Sequence, residues 1–181
     1  MDNTSLLDTP VEYEDGRPAS LILLLLILIA TGGAIGGMTN AVNGFVSPRY
    51  FLTILRWDPV DVWHKAILQG LLEGLIYGVL MGVVFTIGFT LLTRRRGTWA
   101  LAKRQVRRMV VIIIGCWVLV GVIAILLAFT FPEFYDRAFI GVPAAGAERA
   151  GYAWVGGSIW GGIGGGVLAV IVGLVGIARH R

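Results

Sequence analysis

Residues Ala66 to Leu92 read AILQGLLEGLIYGVLMGVVFTIGFTLL, with Glu73 as their only charged side chain. A helix rises about 1.5 Å per residue, so roughly 20 apolar residues cross a hydrocarbon core of about 30 Å. The stretch clears that length and predicts a membrane-spanning helix. Gly70, Gly74, Gly78 and Gly82 recur at every fourth position, which lines them on one helix face where a second backbone can approach closely.

Three further stretches have the same length and character: Ala19 to Phe45, Met109 to Phe131 and Ala150 to Ala178, none holding an acid or a base. The 181 residues are 56% hydrophobic and only 14% charged, which excludes an ordinary soluble domain. The predicted fold is an all-α membrane protein, a four-transmembrane-helix bundle with glycine-ladder packing. Residues 1–18 form an acidic disordered tail, and 19–181 form one transmembrane domain.

Glycine rows recur in span four as Gly157, Gly161 and Gly165, continued by Ala169 and Gly173, and span one offers Gly32, Gly36 and Gly44. Span three is built mainly from branched and bulky side chains. Spans one, two and four are therefore expected to make the tight centre, with span three on the outside. A shift of 84 residues superposes Gly37 on Gly121, Pro48 on Pro132, Gly78 on Gly162, Gly82 on Gly166 and Arg95 on Arg179. This suggests two parallel helical hairpins related by duplication.

Topology follows from the basic residues, because short loops rich in Lys and Arg stay cytoplasmic. Arg94, Arg95, Arg96, Lys103, Arg104, Arg107 and Arg108 lie between spans two and three; Arg17, Arg179 and Arg181 fall on the same side. The other side carries only Arg49, Arg56, Lys65, Arg137 and Arg149. Both termini are expected in the cytoplasm, in a plasma or energy-transducing membrane. The basic loop reads as a contact for anionic lipid headgroups rather than for nucleic acid, with Trp99 and Leu101 in a short helix on the surface.

The tail, with Asp2, Asp8, Glu12, Glu14 and Asp15 against Arg17, reads as solvated. Ser47-Pro48 and Asp58-Pro59 each join a capping residue to a proline and mark two helix starts. The first opens a short interfacial helix, Pro48 to Trp57; the second opens span two. Cys116 stands mid-span as a small apolar residue, and one cysteine makes no disulfide framework.

Polar groups inside the spans are few. Asn40, Asn43, Gln69, Glu73 and Ser158 fall toward one leaflet, and Gln69, Glu73 and Tyr77 are four apart along one ridge. An ionisable group at such depth is costly and marks a functional candidate. Two roles are open: structural glue, a neutral Glu73 bonded to Asn40, Asn43 or Ser158, and ion or proton handling. No catalytic or metal centre is expected. His64 and His180 sit at opposite faces, Ser158 has no histidine or lysine at matching depth, and phosphate-binding and dinucleotide motifs are absent. No cofactor is called for. The function expected from the sequence is that of a non-catalytic subunit or assembly factor of a larger membrane complex, partnered by other subunits or by self-association. The alternative is a small ion or proton channel or transporter using Glu73.

Overall fold

The computed structural model describes residues 18–94, 97–144 and 146–179; the acidic tail of residues 1–17, Arg95, Arg96, Ala145, His180 and Arg181 lie outside them. Four long helices, α1 (Pro18–Val46), α3 (Val62–Thr93), α4 (Trp99–Thr130) and α6 (Gly146–Ala178), alternate with two short ones, α2 (Pro48–Ile54) and α5 (Pro132–Ala138). All four long helices have the length and hydropathy to cross a bilayer, which makes the chain a small multi-pass membrane protein. Their outer flanks carry Leu, Ile and Val side chains exposed to the surroundings, as lipid contact requires.

Three local expectations are corrected. Trp99 and Leu101 do not form a separate surface helix; they open α4, which runs unbroken for 32 residues with Thr98 capping it by accepting from the Leu101 N–H at 3.3 Å. At 1.5 Å per residue such a helix outreaches the hydrocarbon, so Lys103, Arg104, Arg107 and Arg108 ride on its projecting turns. The short helix after Ser47 ends at Ile54 rather than at Trp57. Asp58-Pro59 does not start span two. The chain reverses there through left-handed conformations at Arg56 and Asp61, and α3 begins at Val62, with the Asp61 carboxylate paired to His64. A reversal between a short helix and a long span consumes the residues that a simple Asp-Pro cap would have used.

The pairing of helices is the larger correction. α1 packs along α3 and α4 packs along α6, while the α3–α6 contact joins the two hairpins. Span three packs on span four as closely as span one on span two, because its Cys116, Val120 and Ala124 lie against the glycine row of α6, yet it is the least buried of the four spans, in keeping with its expected outer place. A Cβ added to Gly70 would strike the Gly36 carbonyl, and one added to Gly157 the Val120 carbonyl. Gly74 stands in the same way against Gly32 and Gly161 against Cys116; Gly78 meets Ile29 as Gly165 meets Ile113.

These correspondences carry the repeat further than the sequence did. Val46 and Thr130, Pro48 and Pro132, Ile54 and Ala138, and Val62 and Gly146 are element ends each 84 residues apart. Partners on the first helix of each hairpin also differ by 84, whereas the glycines facing them differ by 87. The second helix has therefore slid by just under one turn between the two copies. Both hairpins run in the same sense, since α3 and α6 are parallel where Tyr77 meets Gly166 and Phe85 meets Gly173.

A cluster of Leu24, Leu28, Phe85, Phe89, Met109, Ala169, Val170 and Ile177 fills the end near the α3–α4 turn. The α2/α5 end is closed by Phe51, Val62, Ala66 and Val155, with Phe51 stacked on Trp57 at 5.6 Å. Arg149, read from the sequence only as one of the outer charges, is 4% exposed and ties this end together. It donates to the carbonyls of Ala128 (2.9 Å), Pro132 (3.3 Å) and Pro143 (3.3 Å) and pairs with Asp136 at 2.9 Å. One guanidinium thus holds the end of α4, the start of α5 and the connection into α6, and it satisfies the Ala128 carbonyl in the last turn of α4, where intrahelical donors run out.

Candidate functional site: an intramembrane cleft

Between the hairpins lies a cleft of about 370 Å³. Thr39, Asn40 and Asn43 of α1, Glu73 and Tyr77 of α3, Trp117 of α4 and Ser158 of α6 line it, so all four long helices contribute. Of the glycines on its walls Gly162 leaves room there, since an added Cβ would meet only Trp117, at 4.0 Å, whereas Gly32, Gly36, Gly70 and Gly74 turn toward the α1–α3 seam.

Asn43 is the anchor of its inner wall. It is fully buried, and its Oδ1 accepts from Ser158 Oγ at 3.1 Å and from Trp154 Nε1 at 3.2 Å. Its amide nitrogen reaches Asn40 Oδ1 at 3.5 Å. Thr39 is turned back on its own helix, donating to the Ile35 carbonyl at 2.8 Å. These bonds cross-link α1 to α6 inside the apolar interior, where satisfied polar pairs fix register.

Glu73 does not join that network. Its carboxylate accepts from Gln69 Nε2 at 2.6 Å, an i,i+4 contact along α3, and it stands exposed. Asn40, Asn43 and Ser158 are thus bonded among themselves, and Gln69 takes the place that the structural role had given to them. Tyr77 spans to the other hairpin, donating to the Ile163 carbonyl at 2.6 Å. Among the residues lining the cleft only Glu73 and Ile163 are exposed, so the cleft opens sideways between α3 and α6 with the carboxyl at its mouth.

The cleft is bounded along the bundle. Toward the α2/α5 end the Phe51, Ala66 and Val155 cluster covers it, and toward the other end lie the Tyr77 strut and the Phe85–Phe89 cluster. Trp117, which sequence reading passed over, gives an indole N–H that is buried on the cleft wall without a protein partner. A tryptophan in a span is an ordinary apolar residue by composition, and nothing in the sequence singles it out. Among the described residues no three of His, Cys, Asp and Glu lie together in a way that could hold a metal ion. The cleft can therefore offer hydrogen bonds, one carboxyl and apolar walls to a guest. No protein-family model, curated protein or solved structure matches the chain.

Proposed function

We propose that this protein is a non-catalytic accessory subunit of a larger membrane complex, and that a partner's transmembrane helix seats on the α3–α6 flank over Glu73. The observation that carries the reading is the exposed Glu73 carboxyl, in the middle of a long apolar helix with one hydrogen bond, from Gln69. Left against hydrocarbon such a group is costly, and a helix bringing a donor to the mouth of the cleft removes that cost. In this reading both termini are cytoplasmic, the glycine rows act as the close-packing faces, and the polar mouth is left for assembly. Ion or proton handling by Glu73 is the second reading, favoured by the carboxyl facing a cleft. Against it, the apolar cluster at the α3–α4 end leaves no polar route through one copy.

A photo-crosslinking residue in place of Leu72 or Ile76, both exposed beside Glu73, tests the proposal in native membranes. The expected result is one discrete adduct with another membrane protein, weakened by Glu73→Leu and unaffected when the crosslinker is moved to Leu119. Adducts with lipid alone, together with pH-dependent flux by the purified protein in vesicles, would overturn it and favour the second reading.

A further inference from the structure

A second hollow lies far from the cleft, at the basic end of α4. It has a volume of about 510 Å³ and is walled by Arg104, Arg107, Arg108, Val111 and Ile112 of α4 with Val172 of α6. Positions 104, 107, 108 and 111 follow helical spacing, so three guanidinium groups and the start of an apolar wall share one face. All three arginines are exposed, and among the described residues they have no acidic partner: α4 holds no Asp or Glu, and the one acid of α6, Glu148, is at its opposite end. Val172 is the one α6 side chain on the wall, and Arg108 reaches toward α6, its Nη1 lying 3.5 Å from where a Cβ on Gly176 would stand.

Three cations without an acidic partner among the described residues, above a strip of Val and Ile, reproduce in opposite charge the layout of a phospholipid: an anionic phosphate at the surface and acyl chain beneath it. Arginine forks suit phosphate oxygens. A surface-lying cation attracts anionic headgroups non-specifically, whereas a hollow between two helices holds one molecule. We infer that this groove is a binding site for a single anionic phospholipid, with Arg104, Arg107 and Arg108 on the phosphate and Val111, Ile112 and Val172 along the first part of the acyl chain.

The full-length protein in detergent, analysed by native mass spectrometry with added phosphatidylglycerol, phosphatidylcholine or inorganic phosphate, tests this. Wild type is expected to retain one phosphatidylglycerol in preference to phosphatidylcholine, with about fivefold weaker retention for each arginine changed to glutamine. Val172→Trp keeps every charge but fills the hollow; it is expected to lose the lipid, while Arg107→Lys keeps it in part. Thermal melting of each variant separates lost binding from lost folding. Equal retention of the two lipids, or retention unchanged in both the triple glutamine variant and Val172→Trp, would overturn the site. Displacement of the lipid by millimolar inorganic phosphate would instead make a free phosphate anion the ligand and overturn the lipid assignment.

Discussion

Alanine at four glycines separates close packing from mere glycine content. At Gly74 a new Cβ would meet the Gly32 backbone, its carbonyl carbon at 2.9 Å, and at Gly161 it would meet the Cys116 carbonyl and Val120 Cβ, the latter at 2.8 Å. At Gly115 and Gly164 it would meet nothing within 4 Å. Replacing glycine by alanine in a helix interior gains about 0.5–1 kcal/mol from propensity alone. That gain is kept at the two open positions. At the closed ones a backbone must move, and overpacking costs about 1–3 kcal/mol, so the net change is a loss of up to about 2 kcal/mol. Open and closed variants should then differ by about 1–3 kcal/mol, which for a chain of this size is about 2–12 °C in Tm. Thermal unfolding in mild detergent, followed by tryptophan fluorescence, reads the difference. Because Gly74 and Gly161 are in different hairpins, each reports on its own pair of helices. A common Tm for all four variants would refute the reasoning: the rows would then be glycine-rich without being contact faces.

Four further outcomes are expected. In a Cys116→Ala background, Thr98→Cys should be protected from an impermeant thiol reagent in intact cells and Thr53→Cys labelled; the reverse pattern would invert the topology. Arg149→Met should cost about 1–3 kcal/mol, because it leaves carbonyls without their donor while the half-exposed Asp136 turns to water, whereas Arg137→Ala, an exposed partner of Glu133, should stay within about 0.5 kcal/mol. Tyr135, on α5, should resist ionisation: burial foremost, then the Tyr152 and Tyr50 phenols, push it up to about 12 against the pull of Arg149. Its neutral form is the one the fold favours, so this contribution to stability is complete below the ordinary phenol value near 10 and is lost as pH rises toward 12; ultraviolet titration of wild type against Tyr135→Phe measures it. Glu73→Gln should fold and assemble nearly as wild type, since an amide replaces a hydrogen-bonding carboxyl of equal size, while a well-folded variant that abolishes a measurable wild-type ion flux would favour the channel reading.

The four spans were legible because apolar length is a property of single segments. Ser47-Pro48 likewise marked α2 correctly, since a proline at the first helical position acts locally. Which helix pairs with which was not legible. A glycine row identifies a face but not what lies against it, and the partners of Gly157 and Gly161 are Val120, Ala124 and Cys116, ordinary side chains in a span that looked peripheral. Arg149 was hidden for a related reason: its partners are mostly backbone carbonyls, which every residue has. The polar ridge was half legible. Gln69 and Glu73 bond at the i,i+4 spacing a helix imposes, but whether Glu73 turns inward to Asn43 or outward to the mouth depends on the rotation of α3 against α6, and that is set by tertiary packing.

The near-repetition of the hairpin separates scaffold from candidate function. In the register of the glycine contacts, Gly70, Gly74 and Gly78 correspond to Gly157, Gly161 and Gly165, so what the two halves share is packing. The polar residues are not shared. In that register Gln69, Glu73 and Tyr77 correspond to Gly156, Trp160 and Gly164, and on the first helices Asn40 and Asn43 correspond to Ala124 and Leu127. Trp160 is 66% exposed, as Glu73 is exposed, so the same outward position carries an apolar ring in one half and a carboxyl in the other. A hairpin of this design therefore closes on its partner helix without an acid at that position. The burden of a carboxyl within an apolar span is then not a requirement of the packing, and its cause has to be sought in what meets the mouth of the cleft.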